Sequence, residues 1–236
     1  MSDRPFTKET LDRYLKELSK EFRKQNGSKM TAEIILIGGA SVLINYGFRE
    51  MTYDMDAIIN AASSMKDAIS KVGDKYDLPH GWLNADFMKT PSYTSRISIY
   101  SEYYRTYSNI VTFRTVKGKY LVAMKLMAGR QYKYDLSDVV GVLWEQDKKG
   151  EPLTLDTIKQ AATDLYDSYE ALPDDSRKFI ERVVEERQYE QLYKRIREEE
   201  KENKEILLEF QEEYPGVTNS DNVNEIIATI RKKQGR

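Results

Sequence analysis

Apolar positions along the chain follow two kinds of spacing, which separate a mixed first part from a helical second part. Within 7–26, Leu11, Tyr14, Leu15, Leu18 and Phe22 recur every three or four residues, the spacing of one helix face. Thr7 is placed to cap that helix and Gly27 to stop it. Residues 34–37, Ile-Ile-Leu-Ile, form a short unbroken apolar run that predicts a buried strand. Gly38 and Gly39 then form a turn, followed by a short helix over 41–46 and a second strand over 51–59. A helix is expected over 63–72, and an irregular stretch anchored by Trp82 and Phe87 over 74–91. Strands are expected at 96–100 and 109–116, and helices over 120–129 and 135–143.

Beyond Gly150 no strand signal remains. Residues 154–171 read as a helix that Pro173 breaks. From 174 to 213, 23 of 40 residues are charged, which reads as a long solvated helix supported by pairs such as Glu190/Lys194 and Glu200/Lys204. Its apolar stripe, Phe179, Ile180, Val183, Val184, Leu192 and Ile196, thins out between 197 and 205. Tyr214-Pro215-Gly216 ends it, and a last helix covers 221–231. The pattern predicts an α/β (α+β) chain with a small mixed sheet in residues 1–150 and a helical domain over 151–236.

Composition narrows the chemistry. The 236 residues include no cysteine, which excludes disulfides, thiolate metal sites and Cys nucleophiles. The single histidine, His80, sits in the turn-like Pro79-His80-Gly81-Trp82, where it either packs or acts alone. A net charge of −2 gives no global attraction to nucleic acid or anionic membrane. No apolar stretch approaches a membrane span, so a cytoplasmic protein with no membrane partner is expected.

The segment 34–59 says most about function. Asp54 and Asp56, two apart on an expected strand, would stand on one face with Met55 turned into the core. Paired carboxylates repel unless a cation lies between them, and a divalent metal is the usual cation. Gly38 and Gly39, before a helix, offer backbone N–H groups and a positive helix end to a phosphate, with Ser41 nearby. Together these describe a site for a metal-bound nucleoside triphosphate, set against the plainer reading of two solvent-facing acids on an edge strand. A second cluster comprises Lys125, Arg130, Asp135 and Asp138, in Lys125-Leu126-Met127-Ala128-Gly129-Arg130 and Lys133-Tyr134-Asp135-Leu136-Ser137-Asp138. Lys125 and Arg130 suit phosphate oxygens, and the two aspartates either position them or contact the nucleotide. The same four residues also suit a structural ion-pair cluster. Tyr93, Tyr100, Tyr103, Tyr104 and Tyr107, with Arg96 and Arg105, suit either base stacking or an ordinary strand surface.

The Gly-Gly-x-Ser turn followed by Asp-x-Asp on the next apolar strand resembles the DNA polymerase β-like nucleotidyltransferase superfamily. Residues 125–138 are similar to the KLxA…R…KDxxD region of AbiEii-type toxin nucleotidyltransferases, and the resemblance spans roughly 34–143. Tyr134 departs from that pattern by separating Lys133 from Asp135. The resemblance implies a nucleotidyltransferase fold and two-metal transfer of an NMP from an NTP to an acceptor hydroxyl. It implies Mg²⁺ (or Mn²⁺) on Asp54 and Asp56, with Lys125 in the catalytic set. Gly38, Gly39, Ser41, Arg130, Asp135 and Asp138 would hold the nucleotide. The acceptor implied is RNA (tRNA) or protein, in a toxin–antitoxin or phage-defence setting with a cognate antitoxin. The superfamily's third metal-binding carboxylate has only Asp86 and Glu102 as candidates. A non-catalytic nucleotide-binding or interaction module, and a small-molecule nucleotidyltransferase, are the alternative readings.

Overall fold

A computed structural model of the chain describes residues 5–53, 55–219 and 222–233. The chain divides into two compact units, Met1–Met124 with Asp156–Tyr169, and Lys125–Leu155 with Glu170–Arg236.

The first unit is built on a four-stranded mixed sheet. Helix α1 (Lys8–Asn26) leads into β1 (Ala32–Leu36), α2 (Gly38–Asn45), β2 (Ala57–Asn60), α3 (Ser64–Tyr76), β3 (Ser101–Tyr107) and β4 (Val111–Val116). Strand order is β2-β1-β4-β3, with β1 antiparallel to β2 and parallel to β4, and β3 antiparallel to β4. The apolar run of β1 sits centrally because both its faces are covered. On one face Ala32, Ile34 and Leu36 join Val111, Phe113 and Ala57 in a core with Leu11, Leu15, Leu18 and Phe22 of α1 and Met65, Ala68 and Val72 of α3. Thr7 starts α1 through a reciprocal cap, its amide donating to Thr10 Oγ1 at 2.9 Å and its hydroxyl accepting from Thr10 N at 3.4 Å.

Two expected strands differ. The apolar segment 51–59 is not continuous: Thr52 pairs with Phe6, Asp56 pairs with Asn84, and only Ala57–Asn60 is a strand. Residues 96–100 are not extended. Ser95–Ser98 form a 3₁₀ turn started by Thr94, whose hydroxyl accepts from Arg96 N at 3.3 Å. Local capping overrides the β preference of Ile and Tyr there.

Helix α6 (Leu155–Tyr166) belongs to the first unit, which differs from the composition boundary expected at Gly150. Its Asp164 Oδ2 accepts from Tyr120 Oη at 2.8 Å, and Tyr166 Oη donates to Ser92 O at 2.8 Å. Arg96 pairs with Asp167 at 2.7 Å.

The second unit takes the last turn of α4 (Gly118–Ala128), then α5 (Asp135–Lys148), α7 (Asp174–Glu186), α8 (Tyr189–Glu213) and α9 (Val223–Lys233). Helix α5 packs along α8, and Leu207, Val223 and Ile227 close a small core between α8 and α9. The charged run 174–213 is two helices rather than one, because Arg187 turns left-handed at φ 53° and ends α7. Among the described residues no helix is long and apolar enough to cross a membrane.

A side chain in the left-handed region carries a conformational cost that glycine avoids. Arg187→Gly is therefore expected to stabilise the protein by about 0.5–1 kcal/mol, read as a rise in the urea midpoint at unchanged slope. A fall in the midpoint would show that the Arg187 side chain holds the break together.

Candidate active site and its charged neighbours

In the first unit, β1 runs directly into α2. Ile37 is the last extended residue and Gly38 the first helical one, at φ +54°. Any side chain at Gly38 would be strained, and a Cβ there would lie 3.8 Å from Asp56 Oδ2. The Asp56 carboxylate therefore stands beside the opening turn of α2. Its backbone is clamped from both sides: Ile37 N donates to Asp56 O at 3.0 Å, and Ala57 N donates to Asn84 O at 2.9 Å. Gly39 is required for a different reason. A Cβ on it would collide with Thr52 Oγ1 and would lie 2.9 Å from Arg49 Nη2. Both glycines are half-exposed, so the backbone of the turn is open to approach.

The first turn of any helix leaves N–H groups without intrahelical partners and carries partial positive charge. A carboxylate and a basic side chain beside that turn make a charged corner. Arg49 was not evident from the sequence: it lies in an unremarkable Phe48-Arg49-Glu50 between two predicted strands, and only the closeness allowed by Gly39 brings its guanidinium to the turn. Ser41 differs from expectation. It is fully buried, and its Oγ accepts from Val116 N at 3.0 Å, so the hydroxyl ties α2 to β4 and is turned away from solvent. Asp54, the other half of the expected pair, lies outside the described residues.

Of the two candidate third carboxylates, the fold brings one toward Asp56. Asp86 follows two residues after Asn84, the bridge partner of Asp56, although its carboxylate is exposed and pairs with Lys89 at 2.7 Å. Glu102 lies on β3, at the opposite edge of the sheet from β2, and is exposed. Strand β4, adjacent to β1, carries no acid in Val111-Thr112-Phe113-Arg114-Thr115-Val116. Among the described residues no three His, Cys, Asp or Glu side chains are grouped to hold a metal ion. His80 is exposed.

The tyrosine run is largely engaged within the unit. Tyr104 Oη donates to Asp12 Oδ1 at 2.7 Å, Arg105 pairs with Asp12 at 3.3 Å, and Tyr100 stacks on Tyr120 with centroids 4.1 Å apart. Tyr103 remains 63% exposed.

In the second unit, Lys125, Arg130, Asp135 and Asp138 meet in one buried network. Lys125 Nζ lies 2.7 Å from Asp135 Oδ1 and 2.9 Å from Asp138 Oδ2, and both aspartates are fully buried. Arg130 grips Asp135 with Nε at 2.7 Å and Nη2 at 3.3 Å. Burial alone would push the Asp135 carboxyl upward, but Lys125 and Arg130 hold it below its ordinary value. Tyr134, the departure from the resembled pattern, turns left-handed at φ 57° and starts α5. Its ring carries the Arg197 guanidinium at 3.5 Å. Lys133 is exposed.

Glu200 was also not evident, because one glutamate in a charged helix gives no signal of burial. It is 2% exposed, and its Oε1 accepts from Leu136 N at 2.8 Å and Ser137 N at 3.3 Å, capping α5 from α8. Burial, reinforced by nearby Asp138, pushes its carboxyl up to about 7 against the lowering effect of those amides and of Ser137.

Two measurements test this network. Lys125→Met leaves two buried carboxylates short of their main cation, and a loss of about 3–5 kcal/mol in urea unfolding is expected. A loss below 1 kcal/mol would show the carboxylates to be neutral or hydrated. For Glu200 the folded value lies above the unfolded one, so the folded state binds more protons between about pH 4.5 and 7. Its contribution is complete below that window and lost above it, on the order of 3 kcal/mol. Stability should fall from pH 5 to pH 8, and Glu200→Gln should flatten that fall. An unchanged slope in the variant would assign the fall to another group.

No curated protein and no solved structure matches the chain. One family model does, over residues 13–204, and its description is a nucleotidyltransferase of unknown function (DUF6036). The match covers most of the chain and includes Gly38, Gly39, Asp56 and the whole Lys125–Asp138 cluster, so the protein belongs to this nucleotidyltransferase family.

Proposed function

We propose that the protein transfers an NMP from a nucleoside triphosphate to an acceptor hydroxyl, with Mg²⁺ (or Mn²⁺) held by Asp54 and Asp56. The observation that carries this reading is the Asp56 carboxylate beside Gly38, at the opening turn of α2. A carboxylate there would repel a triphosphate on its own, and a shared divalent cation removes the conflict. The donor set fits such an ion: Asp56 is half-exposed and its backbone is fixed on both sides. The ion, when bound, would neutralise phosphate charge and stabilise the in-line displacement. The half-exposed Gly38-Gly39 backbone receives phosphate oxygens, and Arg49 adds a cation at the same turn. Ser41 positions α2 through Val116.

The resemblance adds a phosphate-binding role for Arg130 of the second unit, with Lys125 acting behind it through Asp135. Asp135 and Asp138 position them. Arg130, the more exposed of the two, is the better placed for a ligand. The acceptor is RNA (tRNA) or a protein, in a toxin–antitoxin or phage-defence setting similar to that of AbiEii-type toxins, with a cognate antitoxin as partner. The absence of an acid on β4 favours a second reading, a nucleotide-binding module without transfer.

The test incubates purified protein with each labelled nucleoside triphosphate, Mg²⁺ and total RNA or cell lysate. Label transfer is expected, reduced about a hundredfold or more in Asp56→Asn and in Gly39→Val. Undiminished transfer in Asp56→Asn would overturn the site. Metal-dependent nucleotide binding without transfer, for all four nucleotides, would establish the module instead.

A further inference from the structure

Helix α8 carries two polar side chains on its inward face where the apolar stripe gives out. Glu200 and Asn203 are 2% and 5% exposed. Each has one end satisfied: Glu200 Oε1 by the amides of Leu136 and Ser137, and Asn203 Nδ2 by donation to Gln131 O at 2.8 Å. The other ends, Glu200 Oε2 and Asn203 Oδ1, have no hydrogen-bond partner among the described residues. Leaving such atoms buried and unmatched is unfavourable, so an occupant that brings donors is favoured.

Both residues line a cavity of about 270 Å³ within the second unit. A water occupies about 30 Å³, so this space holds several waters or one small organic molecule. Leu136, Phe179 and Ile196 give it apolar walls, and buried Ser176 adds a hydroxyl. Asp175 and Glu199 at the lining outnumber Arg182 and Arg195 once Glu200 is added. No cationic side chain among the described residues pairs with Glu200.

We propose that this cavity binds a small organic cation, an ammonium or guanidinium group on a short apolar stem. Its N–H groups donate to Glu200 Oε2 and Asn203 Oδ1, and its stem lies along Phe179 and Ile196. Two unmatched acceptors, one of them a carboxylate, call for a ligand that brings both donors and positive charge. A hard divalent metal is a poorer occupant, since six or more oxygens are its usual shell and two are offered. The site is separate from the nucleotide reading: neither Glu200 nor Asn203 belongs to the proposed transfer site.

The test is titration calorimetry on the full chain at pH 8 with n-butylguanidinium and n-butylammonium, and with N-butylurea as the uncharged analogue. Saturable one-to-one binding of at least one cation is expected, at least tenfold tighter than the urea, and the two cations show which head group the site prefers. Glu200→Gln keeps an oxygen for the Leu136 and Ser137 amides and should weaken cation binding tenfold or more. Asn203→Leu is the second variant, expected to weaken it several-fold, and thermal melts confirm that each is folded. Failure of both cations on the wild type would overturn the proposal. So would equal binding by a folded Glu200→Gln, equal affinity for the urea, or a high-resolution structure at saturating cation with only water on both oxygens.

Discussion

Asp135 and Asp138, both fully buried at the start of α5, set a condition that the second unit has to meet. Neither carboxylate reaches solvent, so positive charge must be brought to them. Lys125 bridges the pair from α4, and Arg130 grips Asp135 from the connecting turn. Arg197, stacked on Tyr134, adds charge from α8. A buried ion network is weak evidence for stability, since apolar residues of the same volume often do as well. Its visible consequence is geometric: the contacts tie the end of α4 and the connecting turn to the start of α5. Glu200 follows the same logic, because its cap on α5 fixes how α8 lies against that helix.

The first unit depends on a backbone condition instead. Gly38 and Gly39 let β1 pass into α2 without an intervening loop. The left-handed φ at Gly38 and the close approach of Thr52 and Arg49 to Gly39 both require the missing side chains. The Asp56 carboxylate ends up beside that turn because its backbone bonds to Ile37 on one side while its neighbour Ala57 bonds to Asn84 on the other. Backbone pairing on both sides fixes where it stands.

Much of this was legible in the sequence. Helix α1 and its cap, the buried β1 and the grouping of Lys125, Arg130, Asp135 and Asp138 follow from spacing alone. What escaped depends on partners distant in the chain. Residues 51–59 are apolar enough to look like one strand, but only 57–60 find β1 to pair with. Arg187 ends α7 without a glycine or proline to announce it. Glu200 and Asn203 interrupt the apolar stripe of α8, and the thinning looked like solvent exposure. Burial of a polar residue has no periodic signature of its own, so it becomes visible only with the amides and carbonyl it serves.

The buried network also bears on how a nucleotide would meet Lys125. At 7% exposure, with its ammonium against two carboxylates, Lys125 has its charge already matched. A phosphate would have to compete with Asp135 and Asp138 for the same Nζ and would have to be desolvated to do so. Arg130 faces a lower barrier. Its side chain is 36% exposed, and Asp135 holds its Nε at 2.7 Å and its Nη2 at 3.3 Å. Lys125 is then better understood as the residue that fixes Asp135, and Asp135 as the residue that fixes the plane of Arg130. In that order of dependence, Lys125 acts through Asp135 on the direction in which Arg130 presents its fork.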